Sequence, residues 1–159
     1  MSGKENFVLQ LRAVEALGTA LRDAADELGR QGEVDAARLG CLMEQGDRPL
    51  RDALDLFFYR FIRLQDRLGA VLFRAILDYE AEEYTTNRDL LDLMERLEII
   101  PSVERWMALR ELRNALTHDY PADLALAAEN ITAAKASVPE LLETLDRVQG
   151  YARKRGIVG

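Results

Sequence analysis

Apolar residues recur along this chain in steps of three and four, the period of an amphipathic helix. Over residues 7–28, Val8, Leu11, Val14, Leu17, Leu21, Ala24 and Leu28 form one stripe. Gly29 and Gly32 break it. A short second helix is predicted over residues 34–43, closed by Gln45-Gly46-Asp47-Arg48-Pro49, a stop-and-start signal. The third segment is the longest. From Leu50 the line runs through Leu54, Phe57, Phe61, Leu64, Leu68, Val71, Ala75 and Tyr79, with a second line at Phe58, Ile62, Leu72 and Ile76. An apolar face this wide predicts a helix about 45 Å long that packs against several neighbours.

Residues 80–86 read as a charged linker. Thr86 or Asn87 caps a fourth helix over residues 88–99, and Ser102 with Glu104 opens a fifth over residues 102–117. Pro121 marks a boundary, because the residue before a proline avoids the helical region. A last helix spans residues 121–151, in which Ser137-Val138-Pro139-Glu140 is either a kink or a fresh capping box. No stretch alternates in the manner of a half-buried strand. The expectation is an all-α, up-and-down bundle of five to six helices. Leu54, Phe57, Phe61, Leu64, Leu68, Leu112 and Leu116 belong to its core. Residues 46–159 form the bundle domain, and residues 1–45 form an N-terminal helical extension packed on it.

Composition bounds the function. The 159 residues are 48% hydrophobic and 31% charged, enough to bury a core without disulfides or metal. The single cysteine, Cys41, excludes an intramolecular disulfide and points to a reducing compartment. The N-terminus lacks the order of a signal peptide, and no apolar run approaches a membrane span. The expected location is therefore the cytoplasm, with no membrane partner. A net charge of −7 argues against non-specific coating of DNA, though not against a local basic cleft. Of the 21 basic residues only Lys4, Lys135 and Lys154 are lysines, and Arg is the better phosphate fork. On a uniform helix Arg60, Arg63, Arg67 and Arg74 fall in one stripe about 60° wide. That stripe is either a solvated face or one wall of a groove for an anionic ligand such as RNA.

Most catalytic constellations are missing. Glycines never recur at phosphate-loop spacing, and one His with one Cys offers neither a His-rich metal site nor a local Cys–His signature. Pairs such as Glu82-Glu83 and Asp89/Asp92 read as solvated surface. One segment stands apart: Leu109-Arg110-Glu111-Leu112-Arg113-Asn114-Ala115-Leu116-Thr117-His118-Asp119-Tyr120-Pro121. An Arg five positions before the only His is common by chance. Asn after that Arg and Tyr two after the His take the random expectation to about one in ten thousand. On a continued helix His118 lies about 140° round from Arg113 and about 7.5 Å along the axis. Arg110, Arg113, Asn114 and His118 then share the flank turned away from Leu109, Leu112 and Leu116. This is either a helix end finished by a dipole-favoured His or a cationic site with one titratable imidazole.

The segment resembles the Arg-x(4–6)-His motif of the HEPN superfamily. In its Arg-x-x-x-x-His-x-Tyr form it is similar to the HepT-like toxin subunit of toxin–antitoxin pairs with a minimal nucleotidyltransferase. The Phe-rich long helix before Leu64-Gln65-Asp66-Arg67-Leu68-Gly69, and a Trp shortly before the motif, fit that layout over about residues 45–150. The resemblance implies a ribonuclease that needs no metal or cofactor, with Arg113 and His118 catalytic and Asn114 as their polar support, Arg110 standing beside them on the same flank. It implies that a cognate nucleotidyltransferase antitoxin adenylylates Tyr120.

The residue types suit that chemistry. A 2′-hydroxyl attacks its own phosphate when a base takes its proton, an acid protonates the leaving oxygen and a cation holds the developing charge. One His per chain makes a two-fold homodimer, with an Arg113/His118 pair from each subunit, the economical arrangement. The alternative is a non-catalytic helical subunit that binds the nucleotidyltransferase or presents a substrate to it.

Overall fold

The computed structural model describes residues 1–117 and 122–159. Its elements are α1 (Gly3–Arg30), α2 (Ala36–Gln45), α3 (Arg48–Asp66), a π-helical turn (Arg67–Leu72), α4 (Phe73–Glu80), α5 (Asn87–Arg96), α6 (Val103–Ala115) and α7 (Leu124–Lys154). The α3, π and α4 segments run on as one rod, so six helical rods make the all-α bundle. No strand occurs among the described residues, and no helix among them is long and apolar enough to cross a membrane.

Local chemistry sets most of the boundaries. The Ser2 hydroxyl accepts from the Glu5 N–H while the Glu5 carboxylate accepts from the Ser2 N–H, so α1 starts ahead of its apolar stripe. Asp35, Asp47, Ser102 and Asp123 cap α2, α3, α6 and α7 through their side chains. Thr86 and Asp89 form the reciprocal box of α5. That helix stops at Arg96 instead of Ile99, because Glu98 turns left-handed (φ 61°) and the Ile99 N–H returns to the Met94 carbonyl. Helix α7 is continuous through Pro139. The Ser137 hydroxyl there donates to the Ala133 carbonyl, and the Glu140 carboxylate accepts two bonds from Arg105 (2.7 and 3.0 Å), so no new cap forms.

Helix α1 runs antiparallel to the α3–α4 rod, with Gly3 beside Tyr79, and antiparallel to α7, with Gly18 beside Leu145. Helix α6 returns along the α3–α4 rod, its Trp106 beside Gly69 and its Arg113 beside Asp66. Helix α2 rests on α7, and α5 bridges α4 and α6. The core is continuous: Phe7, Leu11, Val14, Leu21 and Leu28 of the segment 1–45 pack with Leu54, Phe57, Phe61, Leu64 and Leu68. Leu116 is buried with them, and Leu112 is half-buried at the edge.

At one end of the bundle two polar contacts tie α4 to the C-terminal end of α7, and the Phe7 ring of α1 packs against them. The Tyr151 hydroxyl donates to the Glu80 carboxylate, which also pairs with Arg155 at 3.0 Å, and the Tyr151 ring lies 6.0 Å from Phe7. Burial, with the Glu80 bond second, holds the Tyr151 hydroxyl well above the ordinary tyrosine range. The folded state therefore keeps a proton that the unfolded chain loses above about pH 10. This contribution is complete below that pH and is lost as pH rises through and beyond it. We predict that alkaline destabilisation, followed by chemical denaturation from pH 9 to 11, is shallower in Tyr151→Phe than in the wild type. Parallel curves would show that Tyr151 is not so linked.

Candidate functional site

Helix α6 turns Val103, Trp106 and Leu109 into the core and leaves Arg110, Arg113 and Asn114 on its flank. That flank faces the π-helical turn. There the Phe73 N–H bonds to the Leu68 carbonyl, five residues back, so one residue is inserted into the helix. Each inserted residue rotates everything after it by about 100° relative to a uniform helix. Gly69 sits in the turn, and a Cβ there would stand 3.1 Å from the Trp106 ring. The indole thus rests on bare backbone, with Phe73 against it at 4.8 Å between ring centroids.

A cavity of about 280 Å³ opens beside this contact. Gln65, Asp66, Gly69 and Ala70 line it from the long rod, Trp106, Arg110, Arg113 and Asn114 from α6. Arg74 and Asn87 complete its rim. Three guanidiniums face one carboxylate, so the lining is cationic in a chain of net charge −7.

Arg113 is held there by a fork. Its Nε and Nη2 donate to the two oxygens of Asp66, each at 2.7 Å, and Nη1 leans on Asn114 Oδ1 at 3.4 Å. Those bonds, against a smaller effect of burial, hold the guanidinium above even its ordinary range. One proton on Nη1 and one on Nη2 stay available to an anion. Arg74 and Arg110 make no ion pair among the described residues.

The arginines read as one stripe part company. Arg60 and Arg63 stack on the exposed Tyr59, their guanidinium carbons 5.4 and 5.8 Å from its ring centroid. Arg67 is half-buried at the start of the π turn. Arg74, rotated by the inserted residue, faces the cavity with Arg110 and Arg113. Helix α6 ends at Ala115, where the Thr117 hydroxyl donates to the Asn114 carbonyl at 2.6 Å. His118 and Tyr120 lie outside the described residues. Among the described residues no three His, Cys, Asp or Glu side chains converge as a metal site would require.

Three site residues carry no role in the motif. Gln65 had a readable signal: it stands four after Phe61 and three before Leu68, a core register, and is polar. Trp106 was noticed only by its distance from the motif. Asp66 gave no signal, because its partner is 47 positions away.

The fork is partly exposed, Arg113 at 27% and Asp66 at 42% of their side-chain surface. A pair in that position contributes at most about 1 kcal/mol, its positional effect being the larger one. We predict that Asp66→Asn lowers the melting temperature by no more than about 2–4 °C, read by calorimetry. A loss of 10 °C or more would make the pair a structural element instead of a positioning one. No family model, curated protein or solved structure matches the chain.

Proposed function

We propose that the chain is a metal-independent endoribonuclease of the HEPN kind, the toxin of a toxin–antitoxin pair, acting in the cytoplasm as a homodimer. The observation that carries this reading is the Arg113 guanidinium, fixed by Asp66 in a cationic cavity of an acidic chain and five residues ahead of the only imidazole. The resemblance of Arg113-Asn114-x-x-x-His118-x-Tyr120 to the HEPN motif supports the same conclusion.

In the proposed step the ribose 2′-oxygen bonds to the adjacent phosphorus while the bond from phosphorus to the 5′-oxygen breaks. One His118 takes the 2′-hydroxyl proton, and His118 of the second subunit donates a proton to the leaving 5′-oxygen. Arg113 binds the non-bridging oxygens, whose charge grows in the transition state. The products are a 2′,3′-cyclic phosphate and a 5′-hydroxyl. The cognate minimal nucleotidyltransferase silences the site by transferring AMP from ATP to the Tyr120 oxygen, which loses its proton as pyrophosphate leaves, and the modification adds a phosphodiester charge and a purine to the motif.

His118→Ala is expected to lower RNA cleavage about 10²- to 10⁴-fold with the helical content unchanged. Arg113→Lys is expected to be impaired as well, since an ammonium lacks the fork. Cleavage at the wild-type rate by His118→Ala would remove the imidazole from the mechanism. Co-expression with a partner nucleotidyltransferase is expected to add AMP to the intact mass, and Tyr120→Phe to abolish the addition. Full neutralisation without added mass would mean inhibition by binding alone.

A further inference from the structure

The floor of the cavity holds two polar groups that the proposed cleavage does not use. Gln65 is 3% exposed, yet its side-chain amide makes no hydrogen bond among the described residues. Trp106 is also 3% exposed, and its indole N–H likewise has no partner among them. Buried polar groups in native proteins are almost always satisfied, and an unmet amide costs stability. Both groups line the same cavity, under the exposed guanidiniums of Arg74 and Arg110. Deep neutral hydrogen-bonding groups under a cationic rim match a ligand with a flat polar body and a charged phosphate end.

We propose that this cavity is a nucleobase subsite that takes an adenine from single-stranded RNA, with Gln65 as its specificity residue and Arg74 and Arg110 on the adjoining phosphate. The inference rests on the reading of the site as an RNA site. A primary amide offers one acceptor beside one donor. That pair complements an amino group next to a ring nitrogen. Adenine presents this pattern on both its pairing and its N7 edge and cytosine on its pairing edge; guanine offers two acceptors at O6 and N7, and its pairing edge is met only with the amide reversed, accepting from N1–H and donating to O6. The indole N–H supplies a second donor to a ring nitrogen. The volume, about 280 Å³, stands at the small end of ligand sites and leaves room for one base.

Gly69 and the π turn make the depth. A side chain at position 69 would crowd the Trp106 ring, its Cβ 3.1 Å away, and Gln65 lies one turn before it on the same rod. Sequence-specific proteins that read single-stranded RNA use this kind of pocket, hydrogen-bonding a splayed base on its edges.

The test is calorimetric titration of the full chain with AMP, GMP and ribose 5-phosphate, the last carrying the phosphate without the base. We expect AMP to bind at least tenfold more tightly than ribose 5-phosphate and more tightly than GMP; GMP binding as tightly as AMP would overturn the adenine assignment, since it would mean that the amide sits reversed. Gln65→Leu, of similar size, should bring AMP to within about twofold of ribose 5-phosphate while leaving binding of the latter in place. Arg74→Ala, a change at an exposed position, should weaken AMP and ribose 5-phosphate by the same factor. Equal affinity for AMP and ribose 5-phosphate, no AMP binding up to 10 mM, or an unchanged AMP preference in Gln65→Leu would each overturn the subsite. Cleavage mapping separates the two readings. AMP binding that depends on Gln65 with no RNA cleavage would sink the ribonuclease and leave the subsite standing. Cleavage with no preference for adenosine, equal in wild type and Gln65→Leu, would do the reverse.

Discussion

The contact of the Trp106 indole with the bare backbone of Gly69 fixes how α6 lies on the long rod, and the site depends on that placement. Interiors are packed tightly enough that a single methyl is felt. A Cβ 3.1 Å from the ring would require the indole to give by a few tenths of an ångström, against Phe73 on its other side. Phe73 holds the other side of the indole, so the ring is clamped between a glycine and an aromatic of the same rod. The π-helical turn is what brings both to α6 at once. It also rotates Arg74 out of line with Arg60 and Arg63 and toward Arg110 and Arg113.

The electrostatics of the cavity follow from that geometry. An acidic chain repels polyanions at a distance, so the attraction of an anionic ligand has to be local. Three guanidiniums around one small cavity produce a focused positive field whose range is about the Debye length, 8–10 Å in ordinary salt. Asp66 has two opposite effects there. It removes one unit of positive charge, and it orders the Arg113 side chain. Holding a guanidinium in place before the phosphate arrives avoids the entropy of ordering it later. A fork anchored on one edge still offers the other edge to an anion.

The fold was largely legible in the sequence because helical periodicity is a local signal. The stripes from Val8 to Leu28 and from Leu54 to Leu68 predict α1 and α3, and Ser102 predicts the start of α6. The inserted residue of the π turn was not legible. It changes which of Val71 and Leu72 is buried, and it breaks the arginine stripe, yet no residue type demands it. At Pro139 the fresh cap is excluded, because the Ser137 hydroxyl and the Glu140 carboxylate are engaged elsewhere and α7 is continuous. In the site, Arg110, Arg113 and Asn114 were found from their spacing to His118 and are assembled on one wall. Arg74 was a candidate through the arginine stripe, though with the wrong companions, and Asp66 was reachable only through tertiary contact. Gln65 was visible as a polar residue in an apolar register, a signal that acquires meaning only beside a cavity.

The most direct measurement of the central claim is the chemistry at the cut. Purified protein is incubated, in the presence of EDTA, with a single-stranded RNA and with the same strand carrying 2′-deoxyribose at the mapped cleavage position, and the product ends are identified by mass. The account predicts cleavage of the all-ribose strand to a 2′,3′-cyclic phosphate and a 5′-hydroxyl, with the deoxy-substituted strand intact. Cleavage of both strands, or cleavage only after a divalent metal is restored, would contradict a mechanism built on the 2′-hydroxyl, His118 and Arg113.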